Sequence, residues 1–413
     1  MRLRTFALIP LLSLVFATPS GRAQQPPLPN PFAGTFTAVP SPAADGAGEP
    51  NLATDARGRV WMTWLEPRPG GGHRFRLASL SGSKWSAPAT MAEGTNFLAN
   101  WADFPSLFIA RDGTMAAHWL ERGEARGSYG IRIRTSSDAG QNWTPSITPH
   151  PGSSAGEHGF VSFFEAPGGG IGLVWLDGRD MAAGAHAAAG HAGAMNLRST
   201  VIRKGALGEE SIANARVCEC CQTSATRAGN AVLVVYRDRS EKEIRDTSLV
   251  RFENGTWSEP VTVHPDNWEI NGCPVNGPVI TAAGNAVAVA WFTGVGNTPK
   301  TQVAFSSDTG RTFGSPIRLD AGVTLGRLAM TMPAPDRVLV TSLERASTGA
   351  RLVLRDVRRD GRISAPVEVT PATPDRSGGF ARLALSGKRL VVAWTDVRPS
   401  APATVRTVVA EIK

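Results

Sequence analysis

The residues of this chain that could do chemistry fall into three groups. Four cysteines stand in two short stretches, Cys218, Cys220 and Cys221 in V-C-E-C-C-Q and Cys273 in N-G-C-P. An even number of thiols suits disulfides in an oxidising compartment. The same sulfurs as thiolates suit a soft metal, with His158, His186 or His191 as further ligands. C-x-C-C with one distant cysteine matches no common zinc pattern, so disulfide bonding of Cys218, Cys220, Cys221 and Cys273 is the expectation, with no metal and no cofactor. A second group, Asp103, Glu157 and His158, has the side chains of acid–base work. The third group, Glu49, Asn51, Trp101, Gln222, Asn276, Arg327 and Arg382, supplies contacts for a ligand; its two guanidiniums suit an anionic group.

These groups need a scaffold, and the chain repeats itself. An apolar strand ending in an aromatic and a carboxylate recurs: V-W-M-T-W-L-E at 60–66, A-A-H-W-L-E at 116–121, G-L-V-W-L-D at 172–177, L-V-V-Y-R-D at 233–238 and V-A-W-T-D at 392–396. Copies at 289–293 and 340–344 lose the acid or the aromatic. The copies lie roughly 50–60 residues apart, which suits a four-stranded propeller blade. A strand and a tight Gly- or Asn-bearing turn precede each copy, as in a hairpin. The recurring strand is apolar throughout, so both its faces are covered, as in stacked blades. The repeats predict an all-β propeller of four-stranded antiparallel blades, seven in number, or six if one hairpin is an insertion. Only one strand's length follows the seventh hairpin, so Thr35–Val39 is expected to close the last blade and remove the open edge.

The aromatic and carboxylate recur once per blade and read as packing, together with the nearby arginines in Glu66/Arg68, Asp177/Arg179, Asp238/Arg239 and Asp396/Arg398. A site needs residues that differ from blade to blade. Those stand where each innermost strand begins, around the central mouth, and they are the second and third groups above.

Met1-Arg2-Leu3-Arg4, an apolar run from Phe6 to Ala17 and a small-residue stretch ending at Ala23 have the pattern of an export signal. The expected organisation is a signal at 1–23, a linker at 24–34 and one propeller at 35–413, secreted or periplasmic and monomeric. The formal charge is +8, but basic residues are scattered among acids. No run or stripe marks a nucleic-acid partner, and no later segment has the length of a membrane span. Gly184–His191 reads as a surface loop over the mouth.

Two turns share the pattern S-x-D-x-G-x-x-[W/F]: Ser136 to Trp143, with Asp138 and Gly140, and Ser306 to Phe313, with Asp308 and Gly310. With the blade-spaced repeats, they make the chain resemble the sialidase superfamily of Asp-box, or BNR-repeat, propellers. In that family the box is structural. The resemblance implies carbohydrate chemistry, with three arginines clamping a substrate carboxylate, a Tyr/Glu nucleophile pair and an Asp acid/base. The family's first arginine stands in an R-I-P motif; here the corresponding region reads A-G-E-P-N-L at 47–52. Tyr236 occupies a repeat packing position, and Tyr129 opens an outer strand. The expected functions are therefore a glycan-binding propeller with exo-glycosidase activity on a terminal or anionic sugar, a non-catalytic glycan- or protein-binding propeller, or a metal protein centred on the cysteines.

Overall fold

The computed structural model describes residues 26–151, 156–181, 194–375, 377–399 and 401–413. Residues 1–23, His186 and His191 lie outside the described residues, so the export signal and the 184–191 loop have no structural account. Seven antiparallel sheets follow one another in the described chain, as the repeat spacing predicts. Their innermost strands are Gly48–Thr54, Ser106–Ile109, His158–Glu165, Ser224–Ala228, Val279–Ala283, Thr324–Ala334 and Arg382–Ser386, for blades 1 to 7. Contacts between innermost strands run round the ring, with Gly48–Thr54 touching Arg382–Ser386.

The second strand of each blade carries the repeat and is the most buried. Every residue of Ile171–Asp177 and of Ala231–Arg237 is buried. Their side chains fill the space between blades: Val174, Leu176, Val232, Val234 and Tyr236 share one apolar cluster. The recurring aromatics Trp64, Trp175 and Trp291 are fully buried. An indole N–H cannot be left bare in such a core. The carboxylate two residues on accepts it: Trp64 Nε1 donates to Glu66 at 3.1 Å, Trp119 to Glu121 at 3.0 Å and Trp175 to Asp177 at 2.8 Å. In blade 5, where the repeat lacks its acid, Asp266 takes that place for Trp291 at 2.7 Å. The pairing with nearby arginines holds for Asp177–Arg179 and Asp396–Arg398. Glu66 instead pairs with Arg76 on the adjacent strand, and Asp238 accepts the backbone N–H of Arg239 and the Ser248 hydroxyl.

Blade 2 departs from four strands. After Tyr129–Ser136 its outer position, among the described residues, holds the single bridge of Ile133 to Ile147. Pro145, Pro149 and Pro151 flank that residue and supply no ladder donors.

Thr37–Val39 pairs antiparallel with Thr404–Glu411 and becomes the outer strand of blade 7. Thr407 Oγ1 donates to the Val39 carbonyl at 2.7 Å and accepts from Trp85 Nε1 of blade 1 at 3.2 Å, tying the closure together. The segment before it, read as a linker, lies against blades 6 and 7: Leu28 bridges Ser364, and Phe32, buried, bridges Ile412. Removing residues 1–40 would uncover the long edge of Thr404–Glu411. The expected outcome is a loss of about 2–3 kcal/mol, several degrees in Tm, with self-association, read by thermal melting and gel filtration.

Both S-x-D-x-G turns fold alike. Asp138 Oδ1 accepts from Ser136 Oγ at 2.8 Å and from the Asn142 N–H at 2.9 Å; Asp308 Oδ1 accepts from Ser306 at 2.7 Å and Thr312 N–H at 3.0 Å. Gly140 and Gly310 are left-handed, and so are Ala139 and Thr309 before them. The Asn142 N–H, followed by the Asn142 side chain, holds the Asp138 carboxyl down at about 2. These acids serve their turns. Trp143 and Phe313 pack beside apolar clusters between blades.

Candidate functional site

The innermost strands begin around a central cavity of about 400 Å³ lined by all seven blades. Asn51, Asp103, Gln222, Asn276, Arg327 and Arg382 line it; Glu49, Trp101, Glu157 and His158 do not.

Most of the lining polar groups stitch neighbouring blades together. Asn51 Oδ1 accepts the N–H of Leu107 at 3.2 Å. Gln222 donates to the Ala102 carbonyl at 2.6 Å and accepts from the Gly277 N–H at 2.9 Å. Asn276 Oδ1 takes the N–H of Arg327 at 2.8 Å, where Arg327 is left-handed. The Arg327 guanidinium donates to the Gly378 carbonyl and stacks on Phe380. The three amides that sequence reasoning assigns to a ligand therefore hold the ring closed.

Two groups are different. Arg382 is half-buried and stacks on Phe104, 4.4 Å from the ring centre; among the described residues its Nε, itself buried, has no hydrogen-bond partner. Burial brings its guanidinium down to about 10, so it stays charged at neutral pH. Asp103, 1 % exposed, accepts the Phe160 N–H on Oδ1 at 2.8 Å, while its Oδ2 has no partner among the described residues. Burial, opposed by that N–H and reinforced by the charge of Glu157, pushes its carboxyl up to about 8. Gly159 makes room for it: a Cβ there would collide with Asp103 Oδ2. At neutral pH the cavity lining thus carries two guanidiniums and an un-ionised carboxyl, and its field favours an anion.

Beside the cavity lies a second layer of titratable groups. Tyr129 is hydrogen-bonded to Glu157, and its ring approaches Gly159, next to Asp103. Burial, then the charges of Asp103 and Glu157, drive its hydroxyl well above the usual range. Burial and the Asp103 charge likewise raise the Glu49 carboxyl, against a backbone hydrogen bond from Asn100. His158 is removed from the site: its Nδ1 faces Asp177, the repeat carboxylate, at 3.1 Å, and its ring stacks on His150. Trp101 packs on Phe380, which with Phe104 makes an aromatic wall. Ser106 also lines the cavity and contacts His118 Nδ1 at 2.9 Å.

A raised carboxyl sets the sign of a pH effect. The folded state holds the Asp103 proton up to about pH 8, whereas an ordinary aspartate releases it near 3.8. Between those values the unfolded chain has lost a proton the folded chain keeps. Stability therefore falls as pH rises, by up to about 1.4 kcal/mol per pH unit for this group. Asp103→Asn is expected to flatten that fall, seen as a smaller Tm difference between pH 5 and pH 8.

No two of the four cysteines stand at disulfide distance in this structure, so the expected bridges are not seen in it. Cys218 Sγ lies 3.3 Å from Cys221 Sγ and 3.8 Å from Cys220 Sγ, non-bonded separations against the ~2.0 Å of a disulfide. No helix among the described residues is long and apolar enough to cross a membrane.

No protein-family model matches this chain, and no curated protein does. Solved structures do. A protein of unknown function from Dyadobacter fermentans is 13% identical, covering 92% of this chain and 98% of that one with a TM-score of 0.53. A Penicillium chrysogenum α-L-arabinanase complexed with arabinobiose is 14% identical over 91% of this chain and 97% of that one, TM-score 0.47. A Trypanosoma rangeli sialidase in complex with the inhibitor DANA is 12% identical over 80% and 56%, TM-score 0.48. At such identities the likeness is one of fold, and the chain is a seven-bladed β-propeller with its candidate site at the central mouth.

Proposed function

We propose that this protein is an exported propeller whose central cavity takes one terminal, carboxylate-bearing sugar and hydrolyses its glycosidic bond. The observation that carries the reading is the pair of incompletely bonded groups on one cavity wall system, Arg382 Nε and Asp103 Oδ2. A half-buried guanidinium facing the cavity, with its Nε unpartnered among the described residues, is suited to a carboxylate, which accepts two parallel charge-assisted hydrogen bonds. Arg327 adds charge, and the Phe104–Phe380 wall, backed by Trp101 from outside the lining, suits the apolar face of a sugar ring. The cavity volume stands low in the range of small-molecule sites, about 300–1,000 Å³, which fits one residue rather than a chain. Asp103 keeps its proton at neutral pH, as a general acid for the leaving oxygen must.

A second reading, binding without turnover, has its own observation: the hydrogen-bonded Tyr129 and Glu157 stand behind Asp103 and outside the cavity lining. A nucleophile there reaches a bound sugar only if Asp103 moves aside. Release of the fluorophore from a fluorogenic α-sialoside supports the first reading. Retention of acidic glycans on an array, with no release of any fluorogenic acidic glycoside, supports the second. Failure of both removes the glycan reading.

A further inference from the structure

The four thiols lie outside the cavity lining, and their arrangement has a chemistry of its own. Cys218, Cys220 and Cys221 occupy the turn between Ser211–Val217, the outer strand of blade 3, and the innermost strand of blade 4. Cys273 comes from the loop leading into blade 5. The three Sγ atoms of the turn lie within 4.8 Å of one another; Cys273 is not part of that close group and meets it through Cys220, so it would have to draw in to complete a four-sulfur shell. Four sulfurs at ~2.3 Å from one tetrahedral ion would stand about 3.8 Å apart. The observed 3.3 and 3.8 Å separations are close to that edge length.

The surroundings are built for negative sulfur. Arg245, fully buried, donates to Cys218 Sγ at 3.4 Å and to Glu219 at 3.1 Å. Arg237, 1 % exposed, has its charge facing Cys221; among the described residues its hydrogen bonds all go to carbonyl oxygens, of Arg245, Asn276 and Phe292. The Asn276 N–H points at the same Cys221 sulfur. The guanidiniums of Arg245 and Arg237 and the amide N–H reduce the cost of negative charge on Cys218 and Cys221 once their protons are displaced by a cation. Clustered thiolates repel one another unless a cation stands among them.

We propose that Cys218, Cys220, Cys221 and Cys273 form a thiolate cage for one soft d10 cation, zinc(II) or copper(I). With zinc the tetrathiolate carries a charge of about −2, which faces Arg237 and Arg245, the latter also ion-paired with Glu219 and Glu243. Binding releases the thiol protons, and no electron is transferred. The cage sits where two cavity walls originate, since Gln222 follows Cys221 in the chain and Asn276 follows Cys273 by three residues. The bound ion would therefore fix blade 4 against blade 5 at the mouth. This holds whether or not the cavity hydrolyses a glycan.

The test uses the protein recovered from the exported fraction without added oxidant, stripped with chelator under reductant and then titrated. Cobalt(II) is expected to give thiolate-to-metal charge-transfer and tetrahedral d–d bands saturating at one ion per chain. Stoichiometric zinc(II) bleaching the bands identifies a zinc site; retention of copper(I) against a copper(I)-selective chelator, with poor zinc competition, identifies a copper site. The loaded protein is expected to melt several degrees above the stripped one. Cys273→Ser, at an exposed position, keeps the circular dichroism of the parent and lowers cobalt affinity at least about tenfold. Four freely reactive thiols in the presence of saturating cobalt, a mass showing two disulfides in the exported protein, or unchanged affinity in a folded Cys273→Ser variant would each overturn the cage.

Discussion

Arg382→Met is expected to cost about 30- to 1,000-fold in affinity for a carboxylate-bearing sugar while leaving the fold intact. The magnitude follows from removing one partner of a desolvated charge pair, which costs about 2–4 kcal/mol. Methionine keeps the length and apolar contact with Phe104 and removes the donors. Arg382 is also the safer of the two arginines to change. Arg327 holds the Gly378 carbonyl and a left-handed backbone between blades 6 and 7, so its loss mixes binding with stability. The free Arg382 guanidinium bears a burial penalty that its Nε does not recover from the protein. The Met variant should therefore melt at or above the parent temperature while binding less. Titration calorimetry and thermal melting on the same samples check both halves.

Asp103→Asn is expected to lower turnover of an acidic glycoside by about 10²- to 10⁴-fold, the range for losing a positioned general acid. Asparagine keeps the acceptor for the Phe160 N–H and the room made by Gly159. Binding should change little, so kcat falls with KM nearly unchanged. The pH profile separates this from a structural effect. The parent should lose activity as pH rises through about 8, where the buried carboxyl gives up its proton. The variant should lack that limb. A substrate with a leaving group that needs no protonation should recover much of the lost rate.

How much of this was legible beforehand depends on whether the signal is local. The blades were legible because the W-x-[D/E] strand and its turn recur, and each copy encodes its own hairpin and its own indole acceptor. The closing strand was legible from a count of what remained after the last repeat. The ring of innermost-strand residues was legible as a set, since register alone put Asp103, Arg327 and Arg382 at one mouth. Roles within the set were not. Asn51, Gln222 and Asn276 meet backbone groups of other blades, partners that no spacing announces. His158 does open its innermost strand, but its ring turns to Asp177 of the next strand instead of the cavity. Phe104 and Phe380 were readable from the same register as Asp103 and Arg382, and were missed because aromatics were assigned to packing between blades. Tyr129 reaches Glu157 only through the juxtaposition of blades 2 and 3. The two cysteine stretches lead into the innermost strands of adjacent blades, 4 and 5, and Cys220 contacts Cys273. The sulfur separations and the flanking arginines depend on folded geometry, which no spacing announces.

The most direct measurement is a calorimetric titration of the parent protein and Arg382→Met with a sialic acid, a uronic acid and their neutral counterparts. A carboxylated sugar should bind the parent with one site per chain and bind the variant at least about 30-fold more weakly, with neutral sugars weak for both. Equal binding of neutral and carboxylated sugars, or equal affinity of the two proteins for the acid, would contradict an anion-holding role for the central cavity.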